Sequence, residues 1–480
     1  MNMEMVIPLI AYLLFVFGVA YYAYRQRKGS SFLSEYYVGS RSMSGFVLAM
    51  TTAATYLGAS SFIGGPGAAY KYGLGWVLLA MIQVPAVLLA LGVLGKKFAI
   101  FARKHKAVTI NDLLLARYQN RFVVWIASLS LLLSFFAMMT VQFIGAGRLL
   151  ETTLGMDYKL AVIIFAVTVG IYTFIGGFRA VVMTDTVQGL VMLIGTLFLL
   201  GGVIYAANGL ENAMETLNNI NPQLLAPYGI DERPLDFTFM TSFWVLVCFG
   251  LIGLPQLAVR SMAYKDSQSL HRALVIGTLV VSILVLGMHL TGVIGRAVVP
   301  DLKIPDQVIP TLMVQVLPPL VAGIFLAAPM AAIMSSIDSL LIQSSSTLIK
   351  DLYLAVKPSA VHNESKLKLF STLTTLTFTF LLVFAALNPP DMLIWLNLLS
   401  LGGLEATFLW VIVLGLYWDK SNATGAISSM LVGLISYVII ASFKISIFGF
   451  HAIVPSLVFG LIAFLIGNRF GQPSKSQAVK

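Results

Sequence analysis

The feature that most restricts the fold is a series of long apolar segments separated by short polar loops. Each segment has about the twenty residues that an α-helix needs to cross a bilayer. Charged residues make up only 10% of the chain, whereas soluble domains carry about 25%. The sequence therefore predicts an all-α polytopic membrane protein. We expect about thirteen transmembrane helices, near residues 6–24, 46–65, 76–95, 122–146, 159–177, 187–207, 239–258, 273–296, 311–347, 367–387, 392–418, 424–443 and 453–470.

The basic residues are distributed asymmetrically between the two sides of this arrangement. Most of the 30 lysines and arginines fall in the C-terminal tail or in loops that follow odd-numbered helices. The positive-inside rule then puts the N-terminus outside and the C-terminus in the cytoplasm. The same asymmetry explains the net charge of +10 without a nucleic-acid partner. Because Arg25, Arg27 and Lys28 follow the first apolar segment in place of a cleavage site, we expect that segment to remain as a membrane helix.

Two of the apolar segments are interrupted by glycine and proline. The second contains Gly58, Gly64 and Pro66, and the seventh contains Gly253 and Pro255. Interrupted segments at corresponding positions of two halves are the sequence pattern of transporters built from inverted repeats. Since glycine and proline also occur in ordinary membrane helices, this pattern favours a transporter without establishing one.

The ninth apolar segment, which includes residues 323–353, is rich in hydroxyl groups. Residues three and four apart lie on one side of a helix, so small and polar side chains form a stripe here. A hydroxyl stripe inside lipid bonds to another helix, to water or to a hard cation that prefers oxygen ligands. The residues alone leave these three partners open. The stripe consists of Ala332, Ser335, Ser336, Ser339 and Gln343.

Several ionisable residues fall within or beside the apolar segments. Glu405 lies in the middle of a predicted helix, where a carboxyl is either a coupling group or a neutral hydrogen-bonding group. For His289 we favour a satisfied core histidine. Asp185, with Gln188 three residues later, is typical of a helix N-cap. Arg260 is expected to anchor the inner end of the seventh helix.

The sequence does not support an enzyme. It shows no His/Asp metal-binding cluster, no DDxxD-like carboxylate pair and no glycine-rich phosphate loop. A channel is disfavoured, because it would not need two broken helices facing a hydroxyl stripe. The single cysteine, Cys248, excludes an internal disulfide. No obligate protein partner is indicated.

Two motifs of spaced residues occur around the fifth predicted helix and toward the end of the chain. The first consists of Gly155, Tyr158, Tyr172, Thr173, Gly176, Gly177, Phe178, Arg179 and Ala180. The second consists of Gly415, Leu416, Lys420, Gly425, Ala426, Ser429 and Gly433. Together they resemble the signatures of the sodium/solute symporter family, and the resemblance extends over about residues 35–469 of the 480 residues. It implies a secondary transporter with Na⁺ as the coupled ion, in a bacterial cytoplasmic membrane.

The resemblance also implies a LeuT-like fold of thirteen helices, in which helices two to six and seven to eleven form inverted five-helix repeats. The expected division is a peripheral first helix with its cytoplasmic loop, the first repeat, the outer loop with the second repeat, and two peripheral helices with the tail. These parts cover residues 1–45, 46–208, 209–418 and 419–480.

A shared sodium site between the second and ninth helices is implied by the same resemblance. Carbonyl oxygens and two serine hydroxyls would supply the ligands, a set that suits a weakly held monovalent hard cation. The implied ligands are the carbonyls of Ala54, Leu57 and Ala332 and the hydroxyls of Ser335 and Ser336.

A possible second cation site follows from family members that bind a second sodium through an aspartate and small hydroxyl residues. Asp185 and Ser339 match that pattern, whereas Asp338 departs from it by adding a carboxylate. A second coupled sodium would make uptake of a monovalent anion electrogenic, and we then expect an inward current that Asp185→Asn reduces. A helix cap with a solvated aspartate is the alternative.

The substrate implied by the resemblance is pantothenate, because three runs of sequence resemble family members that carry it. A proline-like or sugar-like solute is the alternative. The interrupted helices are expected to hold the substrate, with donors and an apolar wall around it. The candidate side chains are Thr55, Tyr56, Gln83, Gln142, Trp244 and Gln256.

Overall fold

The structure is a computed structural model that describes residues 3–25, 43–228, 236–359 and 364–472. Within these ranges it does not describe the side chains of residues 23–24, 171–179 and 364. Some residues named in the sequence analysis therefore lie outside the described ranges, and for others only the backbone is described. They are Arg27, Lys28 and the terminal lysines of the tail, and motif residues Tyr172, Thr173, Gly176, Gly177, Phe178 and Arg179.

Helices account for nearly all of the regular structure in the described residues. The α-helices up to the middle of the chain are α1 Met3–Arg25, α2 Gly45–Tyr56, α3 Gly65–Tyr72, α4 Leu74–Met81, α5 Ala86–Leu89, α6 Lys96–His105, α7 Ile110–Tyr118, α8 Arg121–Leu154, α9 Tyr158–Ala206 and α10 Leu210–Ile220. Those that follow are α11 Phe237–Trp244, α12 Pro255–Ser261, α13 Ser267–Val298, α14 Val308–Val316, α15 Pro319–Phe325, α16 Ala327–Ser346, α17 Leu354–Val356, α18 Glu364–Ala386, α19 Leu393–Tyr417, α20 Ala423–Ser442 and α21 Ile453–Phe470.

The described helices provide 10 candidate membrane spans, or 12 when two bent pairs are each taken as one span. A shorter apolar helix, Tyr158–Gly170, lies where the fifth span is expected. The prediction of an all-α polytopic membrane protein is therefore confirmed. Apolar length is a local property of the chain, which is why the sequence is a good guide to it.

The two predicted breaks are present. The first bent pair, Gly45–Tyr56 and Ser60–Tyr72, turns by 69°, and the second, Phe237–Gly253 and Pro255–Ser261, turns by 47°. At the first break Leu57 is extended, with φ −95° and ψ 101°, so its carbonyl leaves the helical direction. At the second break Leu254 is extended, which suits the residue before a proline.

Two helix boundaries differ from the prediction. Asp185 lies inside α9, more than one turn beyond the start of its segment Ala180–Ala206, so its interpretation as an N-cap is wrong. The predicted ninth span begins too early, because α14 ends at Val316 and Pro319 starts a new helix. The X–Pro sequence at this point disfavours a continuous helix.

Helix α16 lies at the centre of the fold and is buried along nearly its whole length. It packs against α9 and α8 and contacts α2, while α13 packs along α2 and α3. Both broken spans and the hydroxyl stripe therefore meet in the interior of the protein.

Candidate functional site

The serine pair of α16 faces the end of α2. Ser335 Oγ donates to the Ala54 carbonyl at 2.8 Å and lies 3.0 Å from the Ala332 carbonyl. Ser336 Oγ lies 3.5 Å from the Ala54 carbonyl and 3.4 Å from that of Thr55. Both serines are buried. The structure thus gathers two hydroxyl and several carbonyl oxygens, which are the ligands that a hard cation prefers.

The break after α2 is held against these serines by Gln142 of α8. The Ala59 N–H donates to Gln142 Oε1 at 2.8 Å. A Cβ at Gly58 would come within 2.6 Å of both Gln142 Oε1 and Ser336 Oγ. Glycine is therefore required at this position for the close approach. Leu57, the remaining implied ligand, lies at the break itself.

A second polar network lies one helical turn further along α16. Asp185 Oδ2 is 3.1 Å from Arg260 Nη2, and both side chains are almost fully buried. The Thr51 hydroxyl donates to the same carboxylate oxygen at 2.6 Å, and the Thr55 hydroxyl lies 3.5 Å from it. Arg260 also donates to Ser339 Oγ at 2.6 Å. The network joins helices α2, α9, α12 and α16.

The guanidinium therefore lies where sequence analysis suggests a second cation. Asp185 and Ser339 are brought together as expected, but both contact Arg260. Asp338 is also buried, and it interacts electrostatically with Tyr12 of α1. A second cation at Asp185 would have to share or displace the guanidinium.

A small cavity lies beside the serine pair, between the two broken spans. Its volume is about 60 Å³, whereas pockets that hold drug-sized ligands have about 300–1,000 Å³. In this conformation the cavity must therefore widen to admit an organic solute. Tyr56 donates to Gln83 Oε1 at 2.8 Å across one wall. The cavity is lined by five of the six predicted side chains, namely Thr55, Tyr56, Gln83, Gln142 and Gln256.

The sixth candidate, Trp244, does not line the cavity. Its side chain is 44% exposed and packs near Phe249. Phe243, the preceding residue of α11, lines the cavity instead. Which of two neighbouring residues faces the cavity depends on the rotation of α11, and that rotation is determined by packing against other helices.

Aromatic rings close one end of the cavity. Trp76 lies 5.6 Å from Trp395, 5.9 Å from Phe243 and 5.7 Å from Tyr72 between ring centroids. These edge-on and tilted contacts are favourable geometries for aromatic pairs. Of these four residues, Trp76 and Phe243 line the cavity itself.

Several lining residues were not predicted as site residues. His289 lines the cavity, and its Nδ1 lies 2.7 Å from the Val285 carbonyl of its own helix, in keeping with a satisfied core histidine. The positions of these unpredicted lining residues depend on helix rotation and on contacts between distant segments, which the local sequence does not reveal. The remaining polar or aromatic side chains of this kind are Ser60, Ser61, Trp76, Phe243 and Asn397.

Comparison with known proteins adds to this geometry. The profile of the Sodium:solute symporter family matches residues 36–433. The chain belongs to the sodium:solute symporter family. Proteins of this family are transporters and not enzymes, and Na⁺ is the coupled ion of this symporter.

Two curated relatives are similar over nearly the whole symporter. The sodium/pantothenate symporter of Haemophilus influenzae is 66% identical over 98% of this chain and 97% of its own length. That of Escherichia coli is 62% identical, with the same coverage of both chains. A solved Na⁺-coupled sialic acid symporter, substrate-bound and outward-open, has a TM-score of 0.84 at 20% identity and full coverage of both chains. The last likeness supports the predicted fold.

Proposed function

We propose that this symporter imports pantothenate together with sodium across a bacterial cytoplasmic membrane. The observation that carries the substrate assignment is the identity of 66% and 62% to two sodium/pantothenate symporters over almost the whole chain. The N-terminus lies outside and the C-terminus in the cytoplasm, as the distribution of basic residues predicts.

Sodium is proposed to bind between the end of α2 and the serine pair of α16. The ligands are the carbonyls of Ala54, Leu57 and Ala332 and the hydroxyls of Ser335 and Ser336. In the structure Ser335 already bonds the Ala54 carbonyl. An ion at this position would join the first broken span to α16, so that sodium binding favours one arrangement of the two helices. Such differential binding is how a ligand shifts a conformational equilibrium.

Pantothenate is proposed to occupy the widened cavity. It carries one carboxylate, an amide and two hydroxyl groups. Gln83, Gln142 and Gln256 offer donors and acceptors for the amide and hydroxyls. The carboxylate is favoured near Ser60, where the outer half of the first broken span begins, because helix N-termini attract anions.

The direct test is uptake of labelled pantothenate into proteoliposomes with an imposed sodium gradient. Uptake should saturate with pantothenate and stop when choline replaces sodium at constant pH. Unchanged uptake in choline would contradict sodium coupling. Proline, sugars and sialic acid serve as competitors, and strong inhibition by one of them would favour the alternative substrate class.

The serine ligands have a matched control on the same helix. Ser335→Ala and Ser336→Ala each remove one proposed ligand, whereas Ser345→Ala removes a buried hydroxyl that bonds Ser371 at 2.9 Å. A hydrogen bond to a charged group contributes about 1.5–3 kcal/mol. We therefore expect each ligand variant to raise the sodium half-saturation concentration about tenfold or more, and the control to leave it unchanged. Equal behaviour of all three would contradict the site.

The second cation is a separate proposal, and it predicts an inward current during uptake. Since Asp185 is paired with Arg260, a second sodium would compete with the guanidinium. A membrane potential contributes about 2.3 kcal/mol per elementary charge for each 100 mV. Pantothenate uptake that does not change when the potential is collapsed would exclude a second coupled ion.

A further inference from the structure

Glu405 is a buried carboxyl in the middle of α19. It belongs neither to the proposed sodium site, nor to the network around Asp185 and Arg260, nor to the residues that line the cavity. Its exposure is 0%. In the described part of the chain neither carboxyl oxygen has a hydrogen-bond partner, and no ion pair includes this side chain. Leu401, one turn earlier on α19, does line the cavity.

The carboxyl lies directly against the second broken span. A Cβ at Gly250 would collide with Oε2 and Cδ of Glu405. A Cβ at Gly253 would come within 2.7 Å of Leu409 Cα, one turn further along α19. Gly250–Gly253 is the 3₁₀ turn just before the break. Two glycines thus let α19 dock on this turn, with Glu405 at the centre of the contact.

The groups around Glu405 are uncharged. The phenols of Tyr56 and Tyr437 lie within electrostatic range of the carboxyl, and Cys248 precedes Gly250 by two residues. An unpaired carboxylate is strongly disfavoured in a membrane interior. The side chain is therefore the neutral acid, which has one O–H donor as well as acceptor capacity.

The neighbouring backbone provides acceptors for that donor. A π turn, Val245–Phe249, passes directly into the 3₁₀ turn at Gly250. Where hydrogen-bond spacing changes from i+5 to i+3, carbonyl groups lose or exchange their helical donors. The Val245 carbonyl is one such acceptor, because it lies 2.7 Å from a Cβ built at Gly250, the same position that the Glu405 carboxyl contacts.

We propose that Glu405 is a positioning residue that remains protonated and donates to a backbone carbonyl at the Gly250 turn when the second broken span moves around its substrate. It carries neither sodium nor a translocated proton. The inference deepens the proposed transport function and rests on it. A neutral side chain of the same shape that has a hydrogen-bond donor should therefore support transport in place of Glu405.

The test compares Glu405→Gln, which retains a donor, with Glu405→Met, which keeps similar volume without one. Thr407→Val is the matched control, because this buried hydroxyl bonds only the Gly403 carbonyl of its own helix at 2.8 Å in the described structure. Initial rates of pantothenate uptake are measured in proteoliposomes between about pH 5.5 and 8. Exposed carboxyl groups are ionised throughout roughly this range, so they should not themselves cause a change in rate.

We expect Glu405→Gln and Thr407→Val to keep at least about half of the maximal rate, and Glu405→Met to lose about tenfold, with unchanged sodium half-saturation in all three. The ratio of the Gln variant to wild type should not vary with pH. Loss of uptake in Glu405→Gln would show that ionisation or proton exchange is needed, and would overturn the inference. A fully active Glu405→Met would overturn it as well.

Folding defects are separated by measuring the amount and melting temperature of monodisperse protein for each variant. A purely structural role would lower both for Glu405→Met while the rate per folded molecule stays normal, and this outcome also counts against the inference. Absence of pantothenate uptake by the wild type would instead contradict the proposed function.

Discussion

Replacing Arg260 with methionine should destabilise the protein far more than the loss of an exposed ion pair would. The Arg260 and Asp185 side chains are 1% and 0% exposed. Without the guanidinium, Asp185 keeps the Thr51 hydroxyl as its close donor, and Ser339 loses the donor that lies 2.6 Å away. One carboxylate is then buried in the protein without a counter-ion.

Removing one partner of a buried ion pair costs about 3–5 kcal/mol, because the other charge is left unpaired. Exposed pairs contribute only about 0.2–1 kcal/mol. We expect Arg260→Met and Asp185→Asn each to fall in the larger range. The double variant removes both charges, so its cost should be smaller than the sum of the single costs by about 0.5–3 kcal/mol.

The free energies of unfolding are obtained by denaturant titration in mixed micelles for the wild type and the three variants. The two single variants serve as controls for each other, since they remove opposite charges from one network. Additive costs, or single costs below about 1 kcal/mol, would show that the pair is hydrated and would refute the reasoning.

Three further predictions concern the loop between α13 and α14, the first break and the aromatic wall. Burial raises the pKa of Asp306 from its ordinary value of 3.8 to about 7, although the carboxylate accepts a hydrogen bond from the Leu393 N–H. Because a raised acid pKa means that the packed loop favours the protonated carboxyl, packing of the loop should weaken as pH rises from about 4 to 7. Maleimide labelling of a cysteine introduced into α14 should become faster over this range when residue 306 is Asp, but not in the Asp306→Asn variant. Gly65→Ala should abolish uptake, since its Cβ would collide with the His289 ring, and the added substitution His289→Ala should restore part of it; no restoration would contradict the steric cause. Phe243→Ala should raise the half-saturation concentration for pantothenate, whereas Trp244→Ala should not, and the reverse result in the uptake assay would contradict the wall assignment.

Local properties of the sequence were sufficient for much of the fold. Apolar length predicted the spans, and glycine and proline marked both breaks, because these effects act within one segment. The spacing of Ser335 and Ser336 likewise placed two hydroxyls on one side of α16. The structure brings them to the Ala54 carbonyl, although sodium binding there remains a prediction.

Tertiary structure decided which distant groups meet. Asp185 has the pattern of a helix cap in the sequence, but 75 positions later the chain provides Arg260 as its partner. Phe243 reaches the cavity and Trp244 does not, because packing determines the rotation of α11. Glu405 is understood only from its contact with Gly250. The local sequence determines helix propensity and the polarity of each segment. Helix rotation and the pairing of buried charges depend instead on how all the helices pack together in the interior.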